Sequence, residues 1–155
     1  MQCGSQEICV KSKLIHEAQG QRSFVVVLAT DDEVHDCLSR FAEEQRLSAA
    51  QVSAIGAFRR ATIRFFDWKS KEYQPIHVEE QVEVVSLNGD ITLDPQGKPK
   101  LHLHTMLARH DGSALGGDLG EAQVRPTLEV LISESPAHLR REHDPESGLA
   151  LIRLD

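Results

Sequence analysis

One helical stretch among many short β-branched segments predicts an α+β domain built on a mainly antiparallel sheet. Apolar residues recur at helical spacing in one place, around residues 31–45. Elsewhere they alternate with polar ones, or form short runs bounded by turn residues, as half-buried strands do. The spacing between these runs suits hairpins rather than β–α–β crossovers, each of which needs a dozen or more residues.

Residues 8–14 alternate weakly and read as a first strand. Residues 23–28, with Phe24-Val25-Val26-Val27-Leu28, read as a stronger one. Thr30-Asp31-Asp32-Glu33 has the S/T-x-x-E pattern of a capping box. It predicts a helix over residues 31–45, with Val34, Leu38, Phe41 and Ala42 on one apolar face and three acids at the positive end of its dipole. The texture then turns to β. Residues 52–58 carry Gly56, which points to a bulge or a close backbone contact. Residues 61–66 form the next strand, and 67–70 connect it to another at 72–78. Val82, Val84, Val85 and Leu87 lead to Asn88-Gly89, a type I′ hairpin signal. Asp94-Pro95-Gln96-Gly97 is a second turn, because proline presets φ and glycine accepts the left-handed position. Strands at 101–108, 128–132 and 149–154 complete the set, the first ended by Asp111-Gly112.

The chain has 155 residues, 40% hydrophobic and 26% charged. That is the balance of one ordinary domain, 1–155 with its core at about 13–154, and not of a disordered or membrane-spanning chain. A domain of this length buries roughly 70% of the surface of its unfolded chain, so it needs no disulfide or metal to fold. No apolar run approaches the ~18 residues of a spanning helix. The first residues lack the basic and apolar regions of a secretory signal. Cys3, Cys9 and Cys37 are odd in number and show no C-x-x-C spacing, so free thiols in the cytoplasm are expected. The net charge of −7 opposes contact with phosphate backbones unless a basic patch is segregated. The densest basic spots, Arg59-Arg60 with Arg64 and Arg140-Arg141, read as solvated faces. Direct DNA binding is therefore doubtful, and no membrane partner is expected.

Leu101-His102-Leu103-His104 is the most unusual segment. Along a strand, alternate side chains share a face. Burying Leu101 and Leu103 thus brings His102 and His104 out together, where two imidazoles can reach one metal ion or one anion. Two surface histidines on a half-exposed strand is the plain alternative. Gly116-Gly117 lets the backbone turn sharply or approach another chain closely. Asp118 after it can supply an oxygen ligand, or be an ordinary loop aspartate. His110 and Glu121 are further candidates for the third ligand. Other catalytic signatures are missing: there is no G-x-S-x-G, no P-loop and no G-x-G-x-x-G after a strand. Ser53 and Ser86 read as structural, and Glu79, Glu80 and Glu83 as a solvated acidic stretch. Phe58, Phe65, Phe66, Trp68 and Tyr73 read as core and hairpin packing.

Several segments, taken in order, resemble the plants-and-prokaryotes-conserved (PPC) domain. They are Ser53-Ala54-Ile55-Gly56-Ala57-Phe58, the run from Glu80 through Val82-Glu83-Val84-Val85 to Asn88-Gly89, Leu101-His102-Leu103-His104, Asp111-Gly112-Ser113, Gly116-Gly117-Asp118-Leu119 and Pro126-Thr127-Leu128-Glu129-Val130. The resemblance implies an α+β sheet domain that assembles as a homotrimer, like the bacterial stand-alone members labelled DNA-binding. In plants the domain is joined to AT-hook peptides; this chain has no Arg-Gly-Arg-Pro core. The resemblance also implies a three-histidine metal site near a subunit boundary, with the third histidine just after the double glycine. Here the set is His102, His104 and Asp118. A carboxylate can take that place for zinc, iron or nickel, as a harder and negatively charged ligand.

Two functions follow. One is a homotrimeric interaction or regulatory module whose DNA-associated role comes through a DNA-binding partner protein; no enzyme is required by it. The other is a metal-dependent enzyme or small-molecule binder using the His/His/Asp set.

Overall fold

Two long strands organise the molecule, because their apolar positions continue past the point where one neighbour could cover them. The computed structural model describes residues 10–154. Within these the order is β1 (Lys11–Ala18), β2 (Gln21–Ala29), α1 (Val34–Gln45), β3 (Ala49–Asp67), β4 (Glu72–Val78), β5 (Val82–Leu93), β6 (Pro99–Ala108), β7 (Ala114–Glu134), β8 (Arg140–His143) and β9 (Ala150–Arg153). Among the described residues the fold is mostly antiparallel sheet with one short helix, and the one parallel pairing is β5 with β8. Among the described residues no helix is long and apolar enough to cross a membrane.

β3 and β7 pair antiparallel along most of their length, with register shifts at Gly56/Phe58, Phe58/Arg60 and Ala61/Ile63. Shifts of this kind bend a strand, and each bent strand then serves two further neighbours. β3 gives its first half to β5 and its second to β4. β7 gives its last residues to β2 and its first to β6. Since β6 also pairs with β5, the pairings β3–β5–β6–β7–β3 close on themselves. Phe58, Leu87, Ile91, Leu103, Leu107 and Leu128 are buried in the core of this circuit.

The structure moves several expected boundaries. The first strand begins at Lys11 and runs to Ala18; Ile8 and Cys9, like Cys3, lie outside the described residues. The segments expected at 52–58 and 61–66 are one strand, β3. The segment at 128–132 is the end of the 21-residue β7, which takes in Gly116, Gly117 and Asp118. The last expected strand is β9, joined in a hairpin to β8, which the sequence did not suggest. Asn88-Gly89 is no hairpin: β5 runs straight through it, paired to Ser53 and Val52 on one side and to His104 and Leu103 on the other. The true turn is Asp94–Gly97, where Asp94 Oδ1 accepts from the amides of Gln96 and Lys98. Of the aromatics, Phe58 is core and Phe66 and Tyr73 meet edge to face on the β3–β4 hairpin, but Phe65 and Trp68 are exposed.

Helix α1 starts at Val34, three residues later than the capping box suggests. Glu33 is its own N-cap, accepting from the Asp36 amide at 2.7 Å. Thr30 is drawn off to the Pro126 carbonyl, and Asp31 has a left-handed φ of 72°, which no helix tolerates. Val34, Cys37, Leu38, Phe41 and Ala42 form the buried face against β6 and β7, with Phe41 edge-on to Phe24. Burial, with Asp32 and Glu33 nearby, pushes the Cys37 thiol from 9.0 up to about 11. The folded state therefore holds this proton more tightly than the unfolded chain. Its contribution to stability is present below pH 9 and is lost as pH rises through about 11. In denaturant melts, the stability advantage of the wild type over Cys37→Ala is expected to shrink by about 2 kcal/mol between about pH 8 and pH 11. A constant difference would show that the thiol is not desolvated.

Candidate metal centre

The site grows from the alternation in β6. Leu101 and Leu103 are buried, which leaves His102 and His104 on the other face. The turn at Asp94–Gly97 fixes the register with β5, so that Asp90 stands opposite His102 and Asn88 opposite His104. On the other side β6 meets the start of β7, where His104 pairs with Asp118. Asp118 is at the point where β7 passes from β6 to β3, so its other neighbour is Arg64.

The double glycine makes that crossing possible. A Cβ on Gly117 would stand 2.7 Å from the Arg64 carbonyl oxygen, and one on Gly116 would stand 2.7 Å from that of Thr105. The close approach is to strands of the same chain, and Asp118 is a strand residue, not a loop one. Only 5% of it is exposed.

Its carboxylate is divided between two tasks. Oδ1 accepts from Arg64 Nε at 2.6 Å, and Arg64 Nη2 is also bonded to it. Oδ2 faces the imidazoles, 3.6 Å from His102 Nε2 and 4.0 Å from His104 Nε2. The two Nε2 atoms are 3.2 Å apart. A point equidistant from the corners of that triangle lies about 2.1 Å from each, the bond length of zinc to nitrogen or oxygen ligands. The donor set therefore fits a divalent transition metal. His110 and Glu121 do not belong to this group; His102, His104 and Asp118 form the metal-compatible cluster among the described residues.

The surroundings of His102 favour its neutral form. Burial lowers its pKa first, and the positive charge of Arg141 and the neighbouring His104 add to the effect. A neutral imidazole is what a metal requires. Arg141 Nη2 bonds both Asp90 oxygens, at 2.9 and 3.0 Å, and lies 3.3 Å from His102 Nδ1. Arg141 carries only donors, so in this contact His102 Nδ1 is the acceptor. Arg141 Nε also donates to Thr92 Oγ1, and Nη1 to the Ala150 carbonyl. Arg141 is thus buried and fully engaged, and Arg64 lies over the Tyr73 ring at 4.8 Å while gripping Asp118. Neither is the solvated basic residue that the sequence suggested. Elsewhere the expectations hold: Glu80 is exposed and pairs with Arg109, and Ser86 bonds Asn88 and Thr105.

A profile of the Plants and Prokaryotes Conserved (PCC) domain matches residues 15–136. The chain belongs to this family. Solved structures of similar chains agree with the membership. A PPC protein from Pyrococcus horikoshii is 26% identical, with a TM-score of 0.80 over 86% of this chain and 92% of that one. A protein from Bacteroides thetaiotaomicron, provisionally described as DNA-binding, is 27% identical, with a TM-score of 0.83 over 93% and 96% of the two chains. A protein from Archaeoglobus fulgidus described as metal-containing is 30% identical, with a TM-score of 0.79 over 94% and 98%. No curated protein matches the chain. Within this PPC-domain chain, the triad lies between two cavities. One, of about 260 Å³, is lined by His102, Asp118 and Arg64; the other, of about 350 Å³, by His104, Gly116, Gly117 and Met106.

Proposed function

We propose that this chain is a divalent-metal-binding PPC domain, with His102, His104 and Asp118 as its protein ligands. The observation that carries the reading is the convergence of three ligand atoms on one point at bonding distance. The similarity to a metal-containing protein supports it. A bound ion with open positions would supply Lewis acidity. The chain's own residues do the rest: Arg64 fixes Asp118 so that one oxygen is presented, and burial favours the neutral form of His102. Protein loaded with zinc, nickel or iron and then dialysed is expected to retain one ion per chain by emission spectrometry. His102→Ala or His104→Ala should lower affinity by more than the roughly 10–100-fold typical of an outer-shell partner. Asp118→Ala should weaken binding and Asp118→His tighten it. Wild type that retains no more metal than the double histidine variant would reduce the site to a surface histidine pair.

A second reading, of a homotrimeric interaction module, rests on the outer face of the sheet. Leu131 on β7, Ile55 on β3, Val85 on β5 and Met106 on β6 are all exposed, and the strand registers make them one strip. Soluble proteins seldom leave such a strip uncovered. Met106 also lines the outer cavity at His104, so a second copy on the strip would border the metal site. Any DNA-associated role would then come through a DNA-binding partner protein, since the chain is acidic and Arg64 and Arg141 are committed to carboxylates. Light scattering is expected to give about three times 17.3 kDa, and Ile55→Asp should dissociate the assembly. A wild-type monomer at every dilution contradicts this reading.

A further inference from the structure

The inner cavity has a composition that the triad does not explain. Its lining includes three cations, Arg64, Lys100 and Arg141, against a single carboxylate, Asp118. Asp118 takes Arg64, and Asp90 takes Arg141. Lys100 takes part in no ion pair among the described residues, and the acids Glu33, Asp36 and Glu121 line an adjoining cavity with it rather than this one. Much of the remaining lining is apolar: Leu149 and Leu151 come from the β8–β9 hairpin, and Leu101, Leu103 and Leu119 from β6 and β7. The hairpin is locked there by Arg141, whose bonds to Asp90 and Thr92 tie it to β5 and whose bond to the Ala150 carbonyl joins β8 to β9. At about 260 Å³ the space suits a small metabolite rather than a peptide or nucleotide.

We propose that this cavity binds a small organic carboxylate, its charged group held by Lys100 and the exposed edge of Arg64, and its short apolar body against Leu149 and Leu151. Cationic and apolar halves of a single concave wall select a molecule with the same two halves. A neutral analogue would leave Lys100 facing no counter-charge, and a cationic one would be repelled. The cavity shares His102 and Asp118 with the proposed metal centre, but Lys100, Leu149 and Leu151 belong to it alone, so carboxylate binding is expected in metal-free protein and is strengthened by a nearby divalent ion.

Butyrate and its uncharged isostere butyramide are the probes, titrated into ¹⁵N-labelled protein in zinc-loaded and chelator-stripped forms, with zinc content measured separately. Saturable butyrate binding with a Kd of about millimolar is expected, with shifts at Lys100, Leu149 and Leu151 and at least tenfold weaker binding of butyramide. Lys100→Met should lose at least tenfold while zinc content is unchanged, and Lys100→Arg should restore binding. Leu151→Ala, at a position 41% exposed, should weaken butyrate without altering the charge preference. Equal affinities for the two probes, unmoved shifts at tens of millimolar butyrate, or a Lys100→Met variant that binds like wild type would overturn the assignment. Zinc retention without butyrate binding refutes the carboxylate site alone; butyrate binding without zinc retention refutes the metal centre alone.

Discussion

Replacing Gly89 by alanine is expected to destabilise the fold by about 3 kcal/mol or more and to remove metal binding with it. Gly89 lies in the middle of β5, between Val52 of β3 and Leu103 of β6. A Cβ added there would stand 1.9 Å from the His102 carbonyl oxygen and 2.9 Å from both the His102 carbonyl carbon and the Leu103 Cα. These are backbone atoms and have no rotamer to escape into. Either β5 or β6 must move, and β6 carries the two histidines. Overpacking of a core costs typically 1–3 kcal/mol even where side chains can yield, so a backbone collision belongs at or above that range. A lower denaturant midpoint with an unchanged slope would register the loss as one of stability. Zinc stoichiometry should fall in parallel at concentrations where the variant is still folded. The neighbouring Asn88→Ala, on an exposed side chain bonded only to Ser86, is the control and should cost about 0.5 kcal/mol or less. If Gly89→Ala melts like wild type, the two strands are further apart than described.

The same glycine shows where the sequence could and could not be read. Asn-Gly is a turn signal because both residues accept positive φ, yet a glycine is also what two strands require when their backbones touch. Composition does not separate these uses; pairing partners do. The alternation of Leu101 to His104 was legible because no bulge interrupts it, and the Asp94–Gly97 turn sets a register that places Asp90 opposite His102. β5 was less legible. Its register slips between Val84 and Ser86 against β6 and against Gly56 in β3, so Val82 and Val84 share the core with Leu87 and Ile91 although their spacing breaks alternation. Arg64 and Arg141 carried no signal. Their partners Asp118 and Asp90 lie 54 and 51 residues away in sequence, and each looks like any other surface arginine until β7 and the terminal hairpin are placed. His102, His104 and Asp118 come together, while His110 and Glu121 stay outside the group. The two arginines that orient the acids around them emerge only from the topology.

Arg64→Met is expected to cost the metal-free protein about 3 kcal/mol and to cost the zinc-loaded protein much less. Asp118 has 6% of its side chain exposed, whereas Arg64 has 39%. Removing the arginine therefore strands an almost buried carboxylate, and breaking such pairs costs about 3–5 kcal/mol, less where water can reach the vacated side. A divalent ion at His102, His104 and Asp118 supplies the missing positive charge. Arg64 and the ion draw on the same carboxylate, so deleting one raises the electrostatic demand for the other. Binding to the folded state alone raises stability by RT ln(1 + [L]/Kd), and zinc should consequently raise the melting temperature of Arg64→Met by more than that of wild type. Adding Asp118→Asn to the variant removes the stranded charge, and should recover stability without metal while abolishing the enlarged response to zinc. An Arg64→Met penalty that is equal with and without zinc would detach Asp118 from the ion, and no penalty at all would mean that its carboxylate is already in water.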